Sequence, residues 1–157
     1  MAVHHGPDGP PHAAAIDDVA PALLAAWDTA RERVTPHVSW PQFNALLVVE
    51  REEGINLRGL AGQLDMILSS ASRLCDRLVA AGLVERVPGR ADRREIALFL
   101  TPSSRALLDN LRTTRREILA GVLDRMTPAG RTALLRGLTE FSEAAARDAP
   151  DSGAQTA

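Results

Sequence analysis

The chain has no lysine, and its only cysteine, Cys75, has no second thiol to pair with. Without lysine there is no G-x-x-x-x-G-K-[ST] phosphate loop and no Schiff-base chemistry. A lone cysteine excludes an intramolecular disulfide and a Cys-based zinc cage. Histidine is confined to His4, His5, His12 and His37, which leaves no helical H-x-x-x-H metal pair in the body of the chain. No G-x-S-x-G nucleophile turn occurs. Apolar stretches are broken by Arg, Asp or Glu well before the roughly 18 residues a bilayer crossing requires. The first residues lack the positive start and apolar run of a signal peptide. These absences predict a cytoplasmic protein that is not an enzyme, holds no metal or cofactor and meets no membrane.

What is present is the balance of a globular domain, 45% hydrophobic and 24% charged over 157 residues. That length suits one domain, or a small module with helical appendages. The net charge of -2 argues against a nucleic-acid binder until it is divided along the chain. Residues 1–57 hold 3 Arg against 8 acids, residues 58–94 hold 7 Arg against 4 acids, and residues 95–157 hold 8 of each. The positive charge therefore lies in one window of the middle third.

The punctuation divides the chain into a flexible tail over 1–14, a first helix within 15–38, a compact lobe over 39–101, two further helices within 102–147 and a second tail from 148. Asp17 and Asp18 are expected to cap the first helix, with Pro21 in its first turn. Ser39-Trp40-Pro41-Gln42 fits a capping box opening a second helix, which carries Phe43, Leu46, Leu47 and Val49 inward. Leu57 to Leu64 and Ser69 to Ala81, with Gly82 as the stop, read as two short helices around a tight turn, the helix-turn-helix pattern. Leu83 to Val87 and Glu95 to Leu100 read as strands flanking a tip that carries Arg90, Arg93 and Arg94. A helix-turn-helix followed by a basic hairpin is a winged helix. Thr101-Pro102 and Thr127-Pro128 each place an N-cap before a Pro at N1 and open the last two helices.

On the second helix of the pair, Ala71, Leu74, Cys75 and Leu78 share a face that packs inward, while Ser70, Arg73 and Arg77 follow helical spacing on another. The N-terminal residues of such a helix enter a major groove deepest. Ser69, Ser70 and Ser72 are therefore candidates for base edges or phosphates, Arg73 for bidentate contact with guanine and Arg77 for the backbone. The competing reading is a solvated polar face, which leaves the basic wing beside it unexplained. Cys75 falls on the buried face and reads as a packing residue.

Leu60-Ala61, Ser69-Ser70-Ala71-Ser72-Arg73-Leu74-Cys75-Asp76-Arg77-Leu78, Gly82-Leu83-Val84, Asp92-Arg93-Arg94 and Leu100-Thr101 follow one another in an order and spacing that resembles the MarR family of bacterial transcription regulators. The resemblance spans about residues 16 to 146. It implies a mainly α-helical homodimer with a winged helix-turn-helix lobe on each subunit, a two-stranded β wing, and dimerisation helices at both ends. It also implies binding to palindromic double-stranded DNA, commonly as a repressor, and release by a small ligand. In the wing it implies that one Arg, Arg93 by preference, enters the minor groove while Asp92 orients another, Arg94. A groove narrowed by A·T pairs attracts such an Arg.

The first helix and the last two carry more apolar residues than a small lobe can cover, which predicts a twofold dimer. Where lobe and terminal helices join, Trp27, Trp40 and Phe43 are candidates for lining a pocket for a small aromatic or apolar ligand, although a plain core role is the favoured reading of them. Arg31 and Arg51 are candidates for meeting a carboxylate there, with nothing in the spacing to single them out. A winged-helix module that binds a protein instead of DNA is the alternative, and an enzyme the least favoured reading.

Overall fold

The computed structural model describes residues 12–88 and 96–148. Helix α1 spans Ala13–Val34, α2 Trp40–Arg51, α3 Leu57–Gln63 and α4 Leu68–Ala80, followed by strands β1 (Val84–Pro88) and β2 (Ile96–Leu100) and helices α5 (Pro102–Leu123) and α6 (Pro128–Asp148). The mainly helical winged helix-turn-helix expected from the sequence is the observed fold.

Cap chemistry accounts for most of these boundaries. At the start of α2 the Gln42 carbonyl oxygen accepts the Ser39 backbone N–H at 2.9 Å, the reach-back half of the capping box. Asn56 accepts the Gly59 N–H at 2.8 Å and opens α3. Helix α3 stops in a Schellman motif: the Met66 N–H donates to Ala61 C=O and the Asp65 N–H to Gly62 C=O, with Asp65 left-handed at φ 51°. Aspartate is among the few residues with a side chain that accept this conformation. Helix α4 ends the same way at Gly82 (φ 68°), with Leu83 N–H on Leu78 C=O. Thr101 caps α5 by accepting the Ser104 N–H, and its hydroxyl donates to Gly82 C=O at 2.7 Å, tying the start of α5 to the end of α4. Thr127 caps α6 through the Gly130 N–H at 3.0 Å.

Two details differ from the sequence reading. Helix α1 begins at Ala13, so Asp17 and Asp18 are interior residues rather than caps, and Pro21 also lies inside the helix. Proline removes the N–H that would bond the Asp17 carbonyl, but Asp17 and Pro21 are both exposed, so the loss falls on the solvent side of the helix. In α2, Val48 is buried and Leu47 only half-buried.

β1 and β2 pair antiparallel from Val84↔Leu100 to Pro88↔Ile96. The segment after α2 adds a third short rung. Gly54 N–H donates to Leu98 C=O and Leu98 N–H to Ile55 C=O, each at 2.9 Å, and Asn56 bridges Ala97. Gly54 is left-handed (φ 86°), a backbone conformation that favours glycine, while a Cβ there would make only ordinary contact with the Phe99 ring at 3.4 Å.

The chain divides into two compact units at residue 116, inside α5. In the first, Phe43, Leu46 and Val49 of α2, Leu60 of α3, Leu74 and Leu78 of α4, Val84, Leu98 and Leu100 of the sheet, and Leu108 and Leu111 of α5 are buried. Each contributes about 1.5–3 kcal/mol of transfer free energy. The second unit, the end of α5 with α6, has no buried residue among those described. Instead Leu134, Leu135, Leu138 and Phe141 form an exposed apolar stripe at helical spacing.

Candidate nucleic-acid interface

Helix α4 has the strongest division of faces in the chain. Ala71, Leu74, Cys75 and Leu78 are buried, which fixes the rotation of the helix and aims the remaining residues outward. Ser69, Arg73 and Arg77 are exposed and Ser70 half-buried. Met66, Ser70, Arg73, Asp76 and Arg77 line one shallow hollow of about 510 Å³. Ser70, Arg73 and Arg77, proposed from spacing alone, therefore come together on one surface. Ser72 is turned away from it, towards a smaller hollow of about 160 Å³ shared with Leu57, Arg86, Ile96 and Leu98. Arg90, Asp92, Arg93 and Arg94, the wing residues singled out by the resemblance, lie outside the described residues.

One pair on this surface escaped the sequence reading. Asp76 of α4 accepts from the Arg86 guanidinium of β1 at 2.7 Å. Both side chains are partly exposed, so the pair adds little to folding stability. Its effect is on charge and orientation. Arg86 neutralises the one carboxylate that lines the hollow among the described residues, which would otherwise repel phosphate, and ties the middle of α4 to the first wing strand. No local pattern announces two charges ten residues apart on different elements. Arg86 also reaches Cys75, whose thiol is held above its usual range by burial, against the opposing pull of Arg86. A buried thiol with a raised pKa is a poor nucleophile, which agrees with a packing role.

Away from α4, Trp27 and Trp40 line a hollow of about 330 Å³ with Leu23, Leu24, Asp28, Arg31 and Arg115. Phe43 does not line it but lies buried below, its ring centroid 5.8 Å from that of Trp40. The Arg31 guanidinium stacks over Trp40 at 5.7 Å, and that of Arg115 over Trp27 at 5.8 Å and Phe43 at 6.0 Å. The Nε atoms of both arginines are buried without a hydrogen-bond partner. Burial, and then the charge of Arg112, pull Arg115 below the usual guanidinium range. Arg51 faces a different hollow, beside Asn44 and Gln63, so Arg115 stands where the sequence suggested Arg51. Periodicity placed Arg115 on α5 without showing which helix it meets.

Among the described residues no cluster of His, Cys, Asp and Glu has metal-site geometry, and no helix is long and apolar enough to cross a membrane.

The profile of the MarR family matches residues 38–95, the span that holds α2, α3, α4 and β1 and ends just before β2. The transcriptional regulator TtmR of Methylorubrum extorquens is 30% identical over 106 residues, 68% of this chain and 53% of its own length, so the chain spans about half of that relative. Rv1404 of Mycobacterium tuberculosis is 31% identical in its crystal structure, with a TM-score of 0.79 over 92% of this chain and 97% of its own. Ligand-free MarR of E. coli, at 21% identity, shares the fold with a TM-score of 0.61 over 85% of this chain and 98% of its own. Profile, relatives and backbone coincide on the segment that carries the α4 motif, and the chain belongs to the MarR family.

Proposed function

We propose that the chain is a cytoplasmic transcriptional repressor that binds palindromic double-stranded DNA as a homodimer. The observation that carries this reading is the outward face of α4. Its buried residues lock the helix, and Ser69, Ser70, Arg73 and Arg77 are left facing solvent as the second helix of a helix-turn-helix. Arg73 is assigned to base readout and Arg77 to phosphate, with Ser69 and Ser70 near the helix start, and Ser72 contributes from the wing side. Arg90, Asp92, Arg93 and Arg94 extend the contact along the wing by analogy with the family, Arg93 in the minor groove.

The assembly rests on the exposed apolar residues of α1 (Ile16, Val19, Leu24) and α6 (Leu134, Leu135, Leu138, Phe141). A stripe of that kind on each of two copies is self-complementary about a twofold axis. Selection of bound sites from random duplexes is expected to return an inverted repeat with half-site centres about 10 bp, one helical turn, apart. Direct repeats, or no enriched sequence, would refute the reading.

Regulation by a ligand rests on the hollow beside Trp27 and Trp40. Its volume suits a small aromatic molecule, and the Nε of Arg115, buried without a hydrogen-bond partner, suits a carboxylate, while Arg31 is already ion-paired with Asp28 at 4.0 Å. Titrating 1-naphthoate into the DNA complex is expected to release the protein, and Arg115→Ala to abolish that response while leaving DNA affinity intact. Release that survives Arg115→Ala would remove this residue from the site.

A further inference from the structure

The tip of α4 carries two large apolar side chains that its folding does not use. Ile67, the N-cap, is 71% exposed and Leu68, the first helical residue, 48% exposed. Ile67 makes no side-chain capping bond, at the position where Ser, Thr, Asp or Asn would stabilise the helix. Its carbonyl serves the Ser70 and Ala71 N–H groups, as any residue's would. Neither the core nor the cap explains an isoleucine and a leucine here.

Their surroundings narrow what meets them. Ser69 follows directly, Leu68 lies one turn before Ser72, and the hollow with Ser70, Arg73 and Arg77 begins at Met66. Among the described residues, the only carboxylate lining that hollow, Asp76, is paired with Arg86. Two side chains are too small a patch for a protein partner, whose interface takes about 800 Å² per side. The arginines beside them favour an anionic polymer. On the floor of a major groove the apolar group within reach of a helix tip is the 5-methyl of thymine, and a single side chain suffices to contact it.

We propose that Ile67 and Leu68 determine specificity by reading thymine through its methyl group, a role that rests on the DNA-binding reading of α4. Thymine is then required at one or two positions of each half-site, next to the base read by Arg73. The contact supplies the return for leaving two apolar residues in water and a helix uncapped.

The test uses the full chain and the duplex recovered by site selection. Each thymine pair of the inverted repeat is replaced in turn by deoxyuridine, which removes the methyl and leaves every hydrogen-bonding edge in place. At one or two positions per half-site the wild-type protein is expected to lose about fourfold in affinity for each methyl removed, the equivalent of one buried CH₂. Leu68→Ala with Ile67→Ala is expected to bind the thymine and uracil duplexes alike. Ile67→Ser supplies a capping side chain and stabilises α4, so its weaker discrimination cannot be a folding defect. Site-specific binding without any uracil effect, or an effect undiminished in the double variant, would overturn the proposal while leaving the DNA-binding reading intact. Failure of the wild type to select any sequence would overturn both.

Discussion

Leu74 on α4 and Leu135 on α6 are the same residue on helices of similar composition, yet the first is 1% exposed and the second 70%. The difference lies in what each helix finds within its own chain. Helix α4 is stopped by a Schellman motif at Gly82, tied to α5 through Thr101, and packed on α3 and the wing strands. Helix α6 is capped at Thr127 but buries nothing among the described residues. A lobe closed by local signals can hold a recognition surface rigid, whereas a helix with an open apolar stripe needs a second molecule. On the proposed function, reading and assembly fall on different parts of one chain.

The contrast breaks most sharply at the core. Leu74→Ala is expected to cost about 2–5 kcal/mol of folding stability by removing a buried side chain and leaving a cavity, at any protein concentration, while Leu135→Ala is expected to cost less and to do so through assembly, so that its effect on melting depends on protein concentration. Calorimetry of both variants decides this, and equal losses would erase the distinction.

The complementary experiment acts on assembly. Leu135→Glu with Phe141→Glu is expected to shift sedimentation from dimer to monomer at micromolar concentration and to reduce operator affinity at least a hundredfold, with the helical circular dichroism of the lobe retained. A variant that remains dimeric would place the interface elsewhere.

Smaller effects sharpen the comparison within the lobe. Arg86→Ala leaves Asp76 unpaired on the surface assigned to DNA and is expected to weaken binding several-fold, with little change in melting temperature. Adding Asp76→Ala is expected to restore part of the loss. If both variants melted much earlier than wild type, the pair would be a folding contact and not an electrostatic one.

The smallest effect concerns Cys75. Burial raises its thiol pKa in the folded state, so the unfolded thiol ionises first as pH rises. The associated stability is complete below the unfolded value of about 8.5 and declines above it. Cys75→Ala should flatten that alkaline decline, measured by denaturant unfolding between pH 7 and 10. An unchanged slope would assign it to other groups.

The elements of the fold were legible wherever a few adjacent residues carry the signal. Ser39 with Gln42, Thr101-Pro102, Thr127-Pro128 and Gly82 mark their boundaries through short-range hydrogen bonds. Asp17 and Asp18 misled because they have the chemistry of a cap while the helix continues through them to Ala13. The rung at Gly54–Asn56 is too short for alternation to show. For the interface, helical spacing sufficed for Ser70, Arg73 and Arg77, because one buried face dictates the other. It did not show that Ser72, at the border between the faces, lines a separate hollow, and it did not find Arg86 and Arg115, whose partners lie on other elements. Ile67 and Leu68 passed unnoticed because an apolar residue near a helix start reads as core until its exposure is known.

The central claim, that the outward face of α4 meets duplex DNA, is tested most directly by the salt dependence of binding. Each phosphate neutralised by an Arg contributes about -0.9 to the slope of log K against log salt concentration. A steep slope is expected for the wild type. Arg77→Ala should make it shallower by about one unit for every sequence, and Arg73→Ala should alter site preference more than slope. A flat slope for the wild type, with affinity indifferent to sequence, would contradict the claim and return α4 to a solvated or protein-binding face.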